Sequence, residues 1–172
     1  MTHADLVKRA RQWLRGQGCG LIITEMSGRT QEPDAIGWYP CYSILVECKV
    51  SRNDFLKDKK KKWDSKVYRD FVKSMGDKRY YLAPSGIIKP EELPVGWGLL
   101  ECSGRDVKKI IEAEFQAEKN WSGEISLLVS AFRRVKGIMP EGTSARFYHY
   151  QTKNRATVGI GKNSDCDKGG VL

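Results

Sequence analysis

The sequence lacks the features that mark several large classes of protein. No apolar run approaches the roughly 20 residues that a membrane-spanning helix needs, and the first residues contain no signal-peptide core. The five cysteines form no C-x-x-C pair and have no histidines at zinc-ligand spacing. These absences argue against a membrane protein, a secreted disulfide scaffold and a structural zinc site. We therefore expect a reducing, cytoplasmic compartment.

Catalytic signatures built on histidine or on glycine-rich loops are also missing. The chain has two histidines, His3 and His149, and neither lies near a cysteine or serine in a recognisable catalytic pattern. No phosphate-cradling glycine loop, dinucleotide fingerprint or internal repeat is present. We therefore expect both histidines to be isolated side chains.

The length and charge of the chain are informative. Its 172 residues suffice for one domain with a substantial core. Thirty Lys and Arg against 21 Asp and Glu give a formal charge of +9. A basic groove binds and steers nucleic acid, but many solvated surfaces are simply basic. Charge alone leaves both interpretations open.

Hydrophobic periodicity predicts an α/β domain over residues 1–136, and a polar, flexible C-terminal segment over residues 137–172. Thr2 and Asp5 resemble a capping box at the start of the first helix. The predicted strands are 19–26, 34–39, 43–50, 78–83 and 97–102. The predicted helices are 51–74, 105–119 and 123–135, with a short helical turn between Pro90 and Pro94.

The residues best suited to catalysis or metal binding lie in and around one predicted strand. Its apolar run Ile44-Leu45-Val46 is typical of a strand buried on both faces. Side chains alternate along a strand, so Glu47 and Lys49 point to one side and Cys48 to the other. The preceding strand, which begins near Asp34, can return as a hairpin and bring that carboxylate beside Glu47. Two carboxylates with a lysine suit a divalent metal ion, a water nucleophile and a phosphodiester.

Two interpretations of this group remain open. Charges at the end of a buried strand are costly unless they are paired, hydrogen-bonded or bound to metal. The alternative to a catalytic site is therefore a salt-bridged cluster with a structural role. Glu25, at the end of the first predicted strand, is either a third carboxylate of the site or an ordinary strand-end charge.

The sequence resembles a known group of nucleases in two blocks. Pro33-Asp34 followed by Glu47-Cys48-Lys49, at the ends of adjacent predicted strands, resembles the PD-(D/E)xK nuclease superfamily. The block from Glu47 to Lys60 is similar to the E-x-K-x-S-x-x-D-x-x-x-D-x-K motif of the MmcB-like DNA-repair protein family, through Ser51, Asp54 and Asp58. The resemblance covers residues 24–100. The long lysine run after Asp58 departs from the family pattern.

The resemblance implies a restriction-endonuclease-like fold, with a mixed sheet of four or five strands flanked by helices. It implies that Asp34 and Glu47, with the backbone carbonyl of Cys48, hold Mg²⁺ or Mn²⁺. Lys49 would position or deprotonate the attacking water, and Glu25 falls where an additional acid is often found. Two further assignments remain. Nucleic-acid contacts are expected from Ser51, Arg52, Lys59 and Lys60. Asp54 and Asp58 are expected to orient the residues that form the site.

These residues and the resemblance together lead us to expect a Mg²⁺- or Mn²⁺-dependent nuclease that hydrolyses DNA, and the resemblance implies a role in repair, recombination or phage DNA metabolism. RNA stays open as a substrate, as do a homodimer and a protein partner. The alternative is a catalytically silent nuclease-fold module that binds DNA or a protein partner.

Overall fold

The computed structural model describes residues 1–26, 32–62 and 74–134, together with the backbone of strands 145–150 and 155–160. The chain forms two compact units, Met1–Ala131 and Phe132–Leu172. None of the described helices combines the length and the apolar composition that a membrane span requires.

The first unit is built on a six-stranded mixed sheet in the order β1-β2-β3-β4-β5-β6. The β3–β4 and β4–β5 pairs are parallel and the other three are antiparallel. The strands are β1 (Leu21–Thr24), β2 (Ala35–Tyr39), β3 (Tyr42–Cys48), β4 (Lys78–Pro84), β5 (Gly98–Ser103) and β6 (Asp106–Ile111). The predicted α/β fold with a mixed sheet is confirmed, with more strands than the four or five expected.

Helices cover both faces of this sheet. Among the described residues they are α1 (His3–Gly16), α2 (Arg52–Lys62) and α3 (Trp121–Arg134), with a 3-10 turn at Pro90–Glu92. The predicted capping box is present, because Asp5 N–H donates to Thr2 Oγ1 at 3.2 Å and Thr2 N–H donates to Asp5 Oδ2 at 2.8 Å. This reciprocal pair satisfies two N–H groups at the start of α1.

Alternation along β3 divides the core between the two faces. Ile44, Val46 and Cys48 pack on the α1 face with Leu6 and Leu14. Leu45 packs on the opposite face, where Phe55 of α2 and Leu127 of α3 join it, with Tyr81 and Leu99 from the neighbouring strands. Because apolar side chains cover both faces, β3 is buried on both, as its uninterrupted apolar run predicts.

The turn into β4 requires glycine at Gly76. Its φ of +85° lies in the left-handed region, and an added Cβ would come within 2.7 Å of the Leu45 Cβ. Both the conformation and the close approach exclude a larger residue. Gly76 therefore fixes the point at which the chain enters the sheet beside β3.

The predicted helix over 105–119 is wrong. Gly104, with φ +60°, turns the chain back after β5, and β6 pairs with β5 from Ser103↔Asp106 to Leu99↔Ile111. The spacing of Val107 and Ile111 fits a helix, but the open edge of β5 offers a ladder of hydrogen bonds to an extended chain. Residues 112–120 form no helix.

The second unit contains two antiparallel strands, β7 (Ala145–Tyr150) and β8 (Arg155–Ile160). They lie in the segment 137–172 that we expected to be flexible. The rest of that segment lies outside the described residues, as does the expected continuation of α2 through residues 63–73.

Candidate active site

The strand register places three carboxylates along one end of the sheet. Ala35 pairs with both Thr24 and Val46, so the residues one position beyond them, Glu25, Asp34 and Glu47, follow each other across neighbouring strands. The Glu25 N–H donates to the Asp34 carbonyl oxygen at 3.1 Å, which continues the β1–β2 ladder. The hairpin predicted to bring Asp34 beside Glu47 is therefore present.

Asp34 is tied to β3 by its own carboxylate. Its Oδ2 accepts a hydrogen bond from the Cys48 N–H at 2.7 Å, and its Oδ1 lies 3.4 Å from His3 Nε2. Its side chain is 20% exposed. The carboxylate is thus held at the β3 end and still reaches solvent.

Lys49 lies between two carboxylates on the α2 side of the sheet. Its Nζ is 3.8 Å from Glu47 Oε2 and 3.4 Å from Asp58 Oδ2. Asp58, on α2, also accepts a hydrogen bond from the Tyr81 hydroxyl at 2.9 Å. Tyr81 is the β4 residue paired with Glu47, and the Lys49 Nζ lies 5.8 Å from its ring centroid. Asp58 therefore acts on Lys49 directly, and Tyr81 orients Asp58.

Cys48 lies on the opposite face, as alternation predicts, and its side chain is buried beneath α1. Burial raises the pKa of its thiol far above the usual value, and the negative charges of Asp34 and Glu47 raise it further. A thiol that stays protonated at neutral pH is a poor nucleophile and a poor metal ligand. The thiol also faces away from Glu47 and Lys49, so the backbone carbonyl is the Cys48 group that is suited to a metal at this end of the sheet.

Glu25 lies at the exposed end of the row of three carboxylates formed by Glu25, Asp34 and Glu47. Its backbone adopts φ 48°, which is uncommon for a residue other than glycine, and its side chain is 56% exposed. Its Oε1 lies 3.7 Å from His3 Nε2. The structure brings Glu25 to the candidate site on the His3 side, whereas Lys49 contacts Glu47 and Asp58 on the other.

His3 was expected to be isolated, and that expectation was wrong. It is the first residue of α1, and the fold places the start of this helix beside Glu25 and Asp34. No local pattern in the sequence marks His3. Its place depends on how α1 packs on the sheet.

The residues at the start of α2 have clear structural roles. Ser51 Oγ accepts a hydrogen bond from the Asp54 N–H at 3.2 Å, and Asp54 Oδ2 accepts one from the Val50 N–H at 3.2 Å. Together they close the first turn of the helix directly after Lys49. They hold the E-x-K end of β3 in register with α2.

Arg52 forms an ion pair with Glu92. Its guanidinium donates to both Glu92 carboxylate oxygens, at 2.8 and 2.5 Å, and to the Ile87 carbonyl oxygen at 3.2 Å. These bonds lower the pKa of Glu92 to about 2. Lys59 is half-buried and Lys60 is exposed on α2. Of these three cations, Arg52 is the one engaged by a bidentate pair.

A buried polar network that the sequence did not reveal lies at the other end of β3. Lys119 Nζ contacts Asp77 Oδ2 at 2.5 Å, Ser43 Oγ at 3.0 Å and Glu124 Oε2 at 3.3 Å. Glu124 also accepts hydrogen bonds from Trp38 Nε1 at 3.1 Å and Gly76 N–H at 2.8 Å. Since the network ties α3 to three parts of the sheet, we assign it a structural role.

Comparison with known proteins gives one informative match. A solved structure of a Silicibacter pomeroyi protein of unknown function is similar to this chain, with a TM-score of 0.56 and 22% sequence identity. The match covers 78% of this chain and 89% of that chain. No family model matches the chain, and no curated protein matches it. At this identity the likeness shows the fold alone.

The oxygen atoms of Asp34, Glu47 and the Cys48 carbonyl are of the chemical type that binds a hard divalent cation. Asp34 and Glu47 supply carboxylate oxygens from adjacent strand ends, and carboxylates with backbone carbonyls are the ligands that Mg²⁺ and Mn²⁺ take in proteins. Among the described residues, no three His, Cys, Asp or Glu side chains are grouped as a ready-made metal site. Binding would therefore require side-chain adjustment, chiefly of Glu47 away from Lys49.

Proposed function

We propose that this protein is a Mg²⁺- or Mn²⁺-dependent nuclease that hydrolyses DNA phosphodiester bonds, on a restriction-endonuclease-like core. The observation that carries the proposal is the position of Asp34 opposite Glu47, with Lys49 two residues further on. The resemblance of Pro33-Asp34 and Glu47-Cys48-Lys49 to the PD-(D/E)xK superfamily supports it. So does the formal charge of +9, which favours a polyanionic substrate.

In this proposal Asp34, Glu47 and the Cys48 carbonyl hold the ion. When bound, the ion supplies Lewis acidity and lowers the pKa of a bound water. The ammonium of Lys49 donates hydrogen bonds to the attacking water or to a phosphate oxygen, where negative charge develops. Asp58 and Tyr81 orient that ammonium. Glu25 is the further acid at the exposed end of the row.

The nucleic-acid contacts are proposed along α2. Lys59 and Lys60 serve as point charges toward phosphate, and the Ser51 hydroxyl still has its own proton to donate. Arg52 reaches phosphate only by leaving Glu92, so we expect it to contribute least. These contacts follow the backbone, so they favour DNA and RNA alike and carry no sequence preference.

A second candidate is a module that binds DNA or a protein partner without cutting. One observation favours it: Lys49 is already ion-paired with Glu47 and Asp58. A metal site would need Glu47 to exchange that partner for the ion, whereas a binding module needs no rearrangement.

The two candidates are separated by cleavage of labelled DNA and RNA as single strands, duplexes, flaps and four-way junctions. Reactions would contain Mg²⁺ or Mn²⁺, with an EDTA control. Metal-dependent cutting supports the nuclease and names its substrate. Salt-sensitive binding without cutting on any substrate would favour the module.

A further inference from the structure

We infer that the protein binds single-stranded nucleic acid at the end of the sheet opposite the carboxylate row. The binding groups are a stacking surface, formed by Tyr39, Tyr42 and Phe115, and a neighbouring groove that contains two arginines. Tyr42 is the first residue of β3, and Glu47 comes five positions later, about 17 Å along the strand at its usual rise. The inference goes beyond the proposed function, because this surface needs neither the ion nor the carboxylates.

The three rings of the stacking surface form a continuous row. Tyr39 and Tyr42 are paired across the β2–β3 hairpin with their ring centroids 5.2 Å apart, and the Phe115 ring meets Tyr42 edge-on at 5.4 Å. Tyr39 is 42% exposed and Phe115 is 61% exposed, whereas Tyr42 is partly buried against the core. Both ends of the row thus present aromatic surface to solvent.

Packing within the protein explains only part of this row. Aromatic pairs on neighbouring strands stabilise a hairpin, which accounts for Tyr39 and Tyr42. Phe115 lies in the irregular segment after β6, and a ring so exposed adds little to the core. Aromatic side chains stack on any unpaired base, because every base has a π-face. Exposed rings in a row therefore suit successive bases of a single strand.

The stacking surface is flanked by positive charge beside Phe115. Lys78 Nζ lies 5.1 Å from the Phe115 ring centroid and 2.8 Å from Glu112 Oε1. Lys109 pairs with the same carboxylate. Because two ammonium groups share one carboxylate, this side of the surface keeps a net positive charge that attracts phosphate.

At its Tyr39 end, the stacking surface borders a groove between α1 and β1. The groove has a volume of about 400 Å³. Its lining residues are Arg11, Gln12, Arg15, Cys19, Gly20 and Ile22. An added Cβ at Gly18 would lie 3.2 Å from the Tyr39 ring, and the Gly20 N–H donates to the Trp38 carbonyl oxygen at 3.0 Å. The chain that lines this arginine groove therefore contacts the stacking surface.

The two guanidinium groups of the arginine groove are available to phosphate. Arg11 and Arg15 lie one turn apart on α1, so they are neighbours on one face of the helix. Both are exposed, and neither has a carboxylate partner within the part of the chain that is described, in contrast to Arg52. A guanidinium matches the geometry of phosphate oxygens. A strand whose bases stack on Tyr39 can therefore place its phosphates in the arginine groove.

The combination of rings and guanidinium groups selects unpaired strands. Bases in a duplex stack on each other and hide their faces, whereas a single strand can splay its bases onto aromatic rings. Stacking and phosphate contacts read no base edges, so they carry no strong sequence preference. Single-stranded DNA and RNA share these groups, so both should bind.

The test is binding of fluorescent oligo(dT) and oligo(rU) of about 16 nucleotides, measured by anisotropy in EDTA so that metal-dependent cleavage is blocked. The comparison ligands are a duplex of the same length and a strand of abasic sites, which keeps the phosphates and lacks the bases. The variants are Phe115→Ala, Tyr39→Ala, Tyr39→Phe and Arg15→Ala. Phe132→Ala and Arg105→Ala, which change exposed residues elsewhere, are the matched controls.

We expect wild type to bind both oligonucleotides more tightly than it binds the duplex or the abasic strand. Phe115→Ala and Tyr39→Ala should each weaken oligo(dT) binding by about 5-fold or more, the effect of losing one stacked base, and should bind the abasic strand like wild type. Tyr39→Phe keeps the ring and should bind like wild type.

Arg15→Ala should weaken binding of oligo(dT) and of the abasic strand alike, because the guanidinium contacts phosphate. It should also reduce the slope of log affinity against log salt concentration by about 0.7, the value for one phosphate contact on a single strand. The two control variants should bind oligo(dT) nearly as tightly as wild type.

Three results would overturn the inference. If wild type binds the abasic strand or the duplex as tightly as oligo(dT), the contact is phosphate attraction without stacking. If Phe115→Ala and Tyr39→Ala both bind oligo(dT) like wild type, the rings serve packing alone. If wild type binds no oligonucleotide, the surface has no nucleic-acid role. Because these measurements exclude metal, the nuclease proposal is decided separately by metal-dependent cleavage.

Discussion

The carboxylate of Asp34 accepts a hydrogen bond from the backbone N–H of Cys48 at 2.7 Å. The bond joins the residue before β2 to the residue between Glu47 and Lys49. Asp34 therefore holds the E-x-K end of β3 in place, whatever chemistry it also performs. When an Asp34 variant is assayed for cleavage, the effect of losing this hydrogen bond must be distinguished from the effect of losing the carboxylate.

Asp34→Ala should destabilise the protein more than Asp34→Asn. Alanine leaves the Cys48 N–H without its acceptor, a loss of about 1–3 kcal/mol if water does not replace it, whereas the asparagine carbonyl oxygen can still accept. Urea unfolding of the two variants checks this. Equal stability of the two would show that the hydrogen bond contributes little.

Tyr81→Phe should lower the free energy of unfolding by about 1 kcal/mol and should also slow any cleavage. The phenylalanine ring keeps the packing against Phe55 and Trp97, but the hydroxyl that orients Asp58 is lost.

Tyr80→Phe is the matched control for that change. Tyr80 donates its hydroxyl to Glu112 at 2.6 Å, a bond remote from Lys49. Tyr80→Phe should lower the free energy of unfolding by a similar amount and leave the rate of cleavage unchanged. If both variants cleave like wild type, Tyr81 has no positioning role.

Lys119→Met should be strongly destabilising. It leaves the buried Glu124 and the partly buried Asp77 without the Lys119 ammonium, and breaking a buried pair by removing one partner typically costs about 3–5 kcal/mol. Chemical unfolding measures the loss, with Lys108→Met on exposed β6 as the control, for which about 0.5 kcal/mol or less is expected. A small effect in Lys119→Met would contradict the anchoring role of the network.

The free energy of unfolding should decrease in acid because the Asp77 carboxylate becomes protonated. Burial works to raise its pKa, but the hydrogen bonds from Lys119 and Ser43 outweigh it, so the pKa lies below the ordinary value of 3.8. A carboxylate with a lowered folded pKa stabilises the protein above its unfolded pKa, and this stabilisation is lost as pH falls through the folded pKa. The stability difference between wild type and Asp77→Asn should therefore shrink from pH 7 to about pH 3. A constant difference would exclude this assignment.

Local patterns predicted the middle of the sheet well. The apolar run Ile44-Leu45-Val46 fixed β3 as buried on both faces, so alternation alone placed Glu47 and Lys49 together and Cys48 opposite. The hairpin that turns at Pro40 and Cys41 then brought Asp34 to the same end. These conclusions needed only strand geometry.

Long-range contacts decided what local patterns could not predict. The spacing in β6 fits a helix, and the free edge of β5 made it a strand. Lys119 lies 76 positions from Ser43 in sequence, so no local pattern could join them. His3 reaches Asp34 only because of the way α1 crosses the sheet. The fold class was therefore predictable, whereas the buried network and the contacts of His3 with Glu25 and Asp34 were not.

The nuclease proposal is tested by single-turnover cleavage by wild type, Asp34→Asn and Lys49→Met on the best DNA substrate, with DNA binding measured in parallel. Asp106→Asn and Lys108→Met, on exposed positions of β6, are the matched controls. We expect that both site variants still bind DNA but that their metal-dependent cleavage is about 100-fold or more slower, while the controls cleave normally. Site variants that cleave at the wild-type rate would contradict the assignment of Asp34 and Lys49 to the reaction.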